Sequence, residues 1–231
     1  MHVQGTAGFR ASIVARARFV EDLVLRRAAG AALQYVILGA GLDTFAQRHP
    51  DAARIVEFEI DEPATQAWKR ARLAELGLPC PAWLHFVPVD FEGGASWLDA
   101  LTAAGFDRTQ PALVASTGVS MYLTVPAIET TLRAAAGLAP GSTLAMTFML
   151  PPELVDPGER PAYEGVLRAA QASGTPFRSL FAPDEMLALT RAAGFRQVEH
   201  VSMADLGADY FAGRADGLRP STGESFVVAT V

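Results

Sequence analysis

From residue 12 to about 29 the apolar residues Ile13, Ala17, Val20 and Val24 recur at spacings of four, three and four. That is one stripe of a 3.6-residue period, and it predicts an opening helix. Ser12 stands where an N-cap belongs and Gly30 where the helix would stop. Beyond it, short apolar runs alternate with helical stretches. Residues 35–38 read as a first strand ending in Gly39-Ala40-Gly41, and 54–60 as a second. Pro63 opens a helix to about Leu76, since a first helical residue has no intrahelical use for its N–H. Strands at 85–89, 112–116 and 143–149 follow, with helices at 95–104 and 126–138 between them. The alternation predicts an α/β protein built on a doubly wound, mostly parallel sheet.

The rhythm breaks over 151–180, which holds Pro151, Pro152, Pro157, Pro161 and Pro176 and a helix from about 163 to 172. An insertion at the C-terminal edge of such a sheet commonly covers a site. Pro183 starts another helix, ending at Gly194, and two last strands are expected at 195–202 and 225–231. Their connector holds Gly207, Gly213, Gly217 and Gly223 and shows no clear helical stripe, so an antiparallel closing pair is expected. No repeat or linker divides the chain. Residues 1–231 read as one domain, with 1–30 as a helical cover and 151–181 as a substrate-side insertion or lid.

Composition narrows the function. Half of the 231 residues are hydrophobic and 19% are charged, which excludes a disordered chain. A formal charge of −6 argues against a nucleic-acid partner, whose phosphates would call for surplus Lys and Arg. Cys80 is the sole cysteine, so neither an intramolecular disulfide nor a thiolate cluster can form. His2, His49, His85 and His200 have no ligand spacing, and no metal is expected. No apolar run approaches the roughly 18–20 residues of a membrane span, and the N-terminus lacks the apolar core of a signal peptide. The expectation is a cytoplasmic protein with a small-molecule partner, and neither nucleic acid nor membrane.

The candidate chemistry lies at the strand tips. A buried strand running into Gly39-Ala40-Gly41 lets the backbone turn tightly and pass close to a ligand. Asp61 follows Gly41 by 20 residues, at the tip of the second strand, where a carboxylate can accept both ribose hydroxyls. Asp90 lies at the tip of the third, where it can receive an adenine amino group while Phe91 covers the ring. Each acid taken singly is more often a helix cap; glycine, acid and acid in order point to a nucleoside. NAD fits poorly. The loop carries Asp43 and puts Thr44 at the third position of the fingerprint, and a carboxylate repels a pyrophosphate but attracts an ammonium or sulfonium. No Gly-Lys-Ser/Thr is present for a P-loop, and Gly118-Val119-Ser120-Met121-Tyr122 fails the nucleophile-elbow pattern at its last position. S-adenosyl-L-methionine is the better match.

The segments QYVILGAGLDTFAQR (34–48), EFEIDEPATQAWK (57–69), FVPVDF (86–91) and GVSMYLT (118–124) resemble the leucine carboxyl methyltransferase family, in particular its bacterial S-adenosyl-L-methionine-dependent O-methyltransferase branch. The resemblance is good over about 10–150 and loose thereafter. It implies a class I methyltransferase sheet of seven strands with an antiparallel last strand. It also implies a cofactor site of Gly39, Ala40, Gly41 and Asp43 around the methionine moiety, Asp61 and Glu62 at the ribose, and Asp90 and Phe91 at the adenine. Arg16 matches the arginine that binds the cofactor carboxylate, although by its position alone it reads as a solvated helix residue. Thr117 stands where relatives often carry Glu, which predicts weaker cofactor binding. The cover before the first strand is shorter than usual, which predicts a more open pocket or a lost contact.

Methyl transfer from a sulfonium needs alignment above all. An ionised carboxylate acceptor needs no base, whereas a hydroxyl gains from one. The catalytic candidates are Tyr122, just past the fourth strand, and Arg10, which with Arg178 could hold an anion. Tyr163, Phe177 and Phe181 fit an apolar acceptor wall and, equally, packing of the insertion onto the sheet, and Glu57 and Glu59 sit awkwardly in a buried strand. The expected function is O-methylation of a small-molecule carboxylate or hydroxyl. The rivals are an NAD-dependent oxidoreductase and a non-catalytic protein that binds the same cofactor.

Overall fold

A computed structural model describes residues 7–49, 52, 54–90 and 96–231. Seven strands, β1 (Leu33–Leu38), β2 (Ile55–Asp61), β3 (Leu84–Pro88), β4 (Ala112–Ser116), β5 (Thr143–Met149), β6 (Gln197–Ser202) and β7 (Glu224–Thr230), form one sheet. Its order is β3-β2-β1-β4-β5-β7-β6. β7 runs antiparallel to both β5 and β6, and every other pairing is parallel. The expected antiparallel closing pair is therefore present, with β7 inserted inside β6. β4 and β5 are buried along their whole length, as their mainly apolar runs require of strands covered on both faces.

The pleat divides the core in two. Tyr35, Ile37, Leu113, Ala115 and Ala145 face α1 (Ala7–Ala28) and α8 (Met203–Phe211). Val36, Leu38, Val114, Leu144 and Met146 face α4 (Trp97–Ala103), α5 (Val125–Ala136) and α7 (Pro183–Ala192). Successive side chains of a strand point to opposite faces, so each strand feeds both halves. Among the remaining helices, α3 (Pro63–Glu75) reaches β2 from the α1 side, and α6 (Arg160–Ala172) belongs to the insertion after β5. No helix among the described residues is long and apolar enough to cross a membrane.

Two local expectations are corrected. The first helix begins at Ala7, and Ser12 lies inside it instead of capping it. Its buried face is Ala11, Ser12, Ala15, Val20 and Val24, whereas Ile13 is 53% exposed. Small residues let the helix lie close against the sheet, leaving Ile13 and Ala17 to border a crevice. The β1–β2 connection carries α2 (Phe45–Arg48), four residues long. Finally, the glycine-bearing connector between β6 and β7 does hold a helix, α8. The Ser202 hydroxyl accepts the Asp205 N–H at 3.1 Å, the Asp205 carboxylate accepts the Ser202 N–H at 2.9 Å, and Met203 and Leu206 are buried.

That cap supplies the first test. Ser202→Ala should cost about 1 kcal/mol of stability, the usual loss for a serine N-cap. Urea unfolding checks it, with a lower midpoint and an unchanged slope expected.

Candidate functional site

The site grows from the turn after β1. The N–H groups of Gly39 and Ala40 both donate to the Ile60 carbonyl, at 2.9 and 3.0 Å, so β2 draws the turn toward its own tip. Gly39 sits at φ +72°, and a Cβ there would lie 2.4 Å from Val119 Cγ2, which leaves no room for a side chain. Asp61, at the end of β2, faces this turn: Oδ2 accepts the Gly41 N–H at 2.5 Å and Oδ1 accepts the Glu62 N–H at 2.7 Å. Asp43 folds back locally, with its N–H on the Ala40 carbonyl at 2.8 Å and Oδ1 accepting the Phe45 N–H at 2.7 Å. Both carboxylates thus hold backbone in place and keep further lone pairs for a ligand.

Beside the turn lies a cavity of about 370 Å³, where the strand order reverses between β1 and β4. Arg16, Gly39, Ala40, Gly41, Asp43 and Thr117 all line it, so six of the expected cofactor residues converge. Ile13 and Ala17 close one side from α1, and Tyr35 and Phe45 form the floor, their rings edge to face at 5.4 Å. Asp61 stands behind the turn. Glu62 and the exposed Asp90 sit at the next two strand tips, outside the lining; the Val89 N–H donates to the Asp61 carbonyl at 2.9 Å and ties those tips together. Phe91 lies outside the described residues. Arg10 is exposed on α1 and borders neither this cavity nor its neighbour, so the structure does not bring it to the site.

Beneath the turn is a buried acidic group. Carboxylate oxygens of Asp43, Glu57 and Glu59 lie within 4.8 Å of one another. Lys69, the single lysine of the chain, reaches in from α3 to Glu59 Oε2 at 2.5 Å, and Gln66 Nε2 donates to the Glu59 carbonyl at 2.9 Å. That pairing accounts for Glu59 in a buried strand. No N–H or O–H donor reaches either oxygen of Glu57, and only when protonated can it hydrogen-bond, by donating to Glu59. Burial, with Glu59 and Asp43 alongside, pushes its carboxyl up from 4.5 to about 9, so it is neutral at pH 7. Burial raises Glu59 as well, against the opposing pull of the Lys69 ammonium. With that ammonium beside Glu59 and Glu57 protonated, the group keeps one net negative charge, that of Asp43.

A second cavity, of about 190 Å³, opens on the other side of Arg16. Its walls are mainly apolar: Phe9 from α1, Met121 and Tyr122 after β4, Met149 from β5, Val166 from α6, and Phe177. Tyr122 meets the Phe177 ring edge-on at 5.4 Å. Tyr163 and Phe181 pack into the core, the packing alternative for the insertion, while Phe177 lines this cavity, and Arg178 is not part of the lining. Arg16 borders both cavities, and its Nη1 pairs with Glu224 at 3.0 Å. It is therefore no solvated helix arginine. Glu224 escaped the sequence reading because its one distinguishing feature, the partner 208 residues away, is invisible in the local pattern.

A family model described as leucine carboxyl methyltransferase matches residues 2–136 of the chain. A Bacillus subtilis protein named "Putative S-adenosyl-L-methionine-dependent methyltransferase YktD" is 35% identical over 207 residues, covering 89% of this chain and 67% of that protein. A relative from Mycobacterium sp. strain KMS with the same description is 36% identical over 170 residues; the chain spans about half, 49%, of its length. Among solved structures, one from Thermobifida fusca, provisionally described as a methyltransferase, superposes with a TM-score of 0.63. That pair shares 21% identity over 99% of this chain and 84% of the other, a likeness of fold.

The buried acids make stability depend on pH in a definite direction. A carboxyl whose folded pKa lies above its unfolded value binds its proton more tightly in the folded state. Its contribution is complete below about 4.5 and is lost as pH rises toward about 9, at about 1.4 kcal/mol per pKa unit. Melting temperatures between pH 5 and pH 9 should therefore fall more steeply for the wild type than for Glu57→Gln, which keeps the shape and cannot ionise. Parallel curves would contradict this account.

Proposed function

The chain belongs to the leucine carboxyl methyltransferase family, whose S-adenosyl-L-methionine-dependent chemistry it shares, and we propose that it methylates an oxygen of a small molecule. The observation that carries this is the convergence of Arg16, the glycine turn, Asp43 and Thr117 on one cavity, with Asp61 turned toward that cavity's glycine rim. The cofactor fits what is present. A cavity of about 370 Å³ stands open beside the turn, and no atom lies within 4 Å of where a Gly41 Cβ would stand.

In this reading Arg16 receives the cofactor carboxylate and Asp43 its ammonium, while Asp61 and Glu62 take the ribose. Asp90 and Phe91 take the adenine. Thr117 offers a hydroxyl where a charge would hold more firmly. Asp43 also disfavours a dinucleotide, whose phosphates would face its carboxylate across the turn. When bound, S-adenosyl-L-methionine supplies a methyl group on a positively charged sulfur. The chain's own part is alignment: α1 covers one side of the crevice, and the insertion at 151–181 walls the acceptor side, with Tyr122 beside it. Whether that oxygen belongs to a carboxylate or to a hydroxyl depends on the second cavity.

Calorimetric titration tests the reading. S-adenosyl-L-methionine and its demethylated product should bind, and NAD should not. Asp61→Ala should weaken cofactor binding by about 1–3 kcal/mol, the cost of removing a buried hydrogen-bonding partner. Unchanged affinity would place the ribose elsewhere.

A further inference from the structure

The segment Ser221-Thr222-Gly223 is fixed far more firmly than the entrance to an edge-ward strand requires. From α1, the Ser12 hydroxyl and the Gly8 carbonyl both accept the Ser221 N–H, at 2.9 and 3.2 Å. At the start of α6, Glu159 Oε2 accepts the Thr222 N–H at 2.7 Å, the Thr222 hydroxyl at 3.0 Å and the Ser221 hydroxyl at 3.1 Å. The Tyr163 ring lies so close on Gly223 that a Cβ there would meet it at 2.5 Å. The Tyr163 hydroxyl donates to the Leu150 carbonyl at 2.6 Å, and the Leu150 N–H donates to the Gly223 carbonyl at 3.0 Å. The next residue is Glu224. Held this way, its carboxylate is delivered to the second cavity with 7% of the side chain exposed.

The charge inventory of that cavity is short. Among the described residues of its lining, Arg16 and Glu224 are the charged ones, and they are paired to each other. Arg16 also faces the first cavity, so its positive charge is shared between Glu224 and the cofactor side. No cation is left over for an anionic acceptor. A carboxylate entering here would lose water against apolar walls and approach a fixed carboxylate, both unfavourable. An uncharged hydroxyl would find the acceptor atom it needs.

We propose that the second cavity takes the apolar or aromatic body of the acceptor, and that Glu224 accepts a hydrogen bond from its neutral hydroxyl, selecting phenol- or alcohol-type acceptors over carboxylates. This rests on the methyltransferase reading above. The step balances without a further reactant: the oxygen–methyl bond forms as the methyl–sulfur bond breaks, the thioether leaves neutral, and the hydroxyl proton passes to the Glu224 carboxylate. Glu224 would then contact the reacting oxygen directly.

The test compares two ligands of one shape, 2-naphthol and 2-naphthoate, by calorimetry at pH 7 with and without saturating S-adenosylhomocysteine. The wild type should bind the naphthol on the order of tenfold more tightly, and Glu224→Gln should narrow that ratio severalfold by improving naphthoate binding. Naphthoate binding as tightly as naphthol to the wild type, or neither ligand binding, overturns the proposal. So does an unchanged ratio in a folded Glu224→Gln protein. The wild-type comparison stands if the variant does not fold. Failure of S-adenosylhomocysteine itself to bind would instead overturn the methyltransferase reading, and the naphthol comparison without it would still decide the acceptor claim.

Discussion

A doubly wound sheet cannot cover the carboxyl ends of the two strands at which its order reverses, because the chain leaves them toward opposite faces. Here those strands are β1 and β4, and the larger of the two cavities described above opens at the gap they leave. The Ile60 carbonyl and the Asp61 carboxylate hold the Gly39–Gly41 turn against the tip of β2, so the gap keeps a rigid rim. α1 closes it from the N-terminal side, and through Arg16 it reaches β7, whose first residue comes from the far end of the chain. The crevice is thus built by contacts between segments distant in sequence.

The two cavities differ in character for a physical reason. The first is ringed by backbone and by charges of both signs, which suits a zwitterionic ligand carrying its own ammonium and carboxylate. The second is walled by methionine and aromatic side chains, with its one ion pair at the boundary. Arg16 is the partition. Under the rim, the protonated Glu57 and the Lys69–Glu59 pair leave the floor with little net charge near neutral pH, so Asp43 acts above a largely neutralised base.

Much of this was legible in the sequence, for reasons that can be named. β1, β4 and β5 are covered on both faces, so they appear as mainly apolar runs with turn residues at their ends. The glycine turn, Asp43 and Asp61 were legible because their chemistry is local to strand tips. α1 was placed by its periodicity, but its start was missed because Ala11, Ser12 and Ala15 bury as well as larger residues would. α8 was hidden by Gly207, although Ser202 and Asp205 carried a capping pattern. Glu59 made sense once Lys69 was seen to reach it from the next helix. Glu224 had no local signal at all, since its meaning depends on Arg16, Glu159 and Tyr163.

One helix performs two jobs. α6 contributes Val166 to the wall of the second cavity, while its first turn and Tyr163 clamp the loop that presents Glu224. Pocket dimensions and carboxylate placement are consequently linked: a shift of this helix that widens the second cavity also displaces the Glu224 carboxylate. Diversification of such a scaffold toward new guests would then proceed by replacing the inserted segment as a block, with the nucleoside half left untouched.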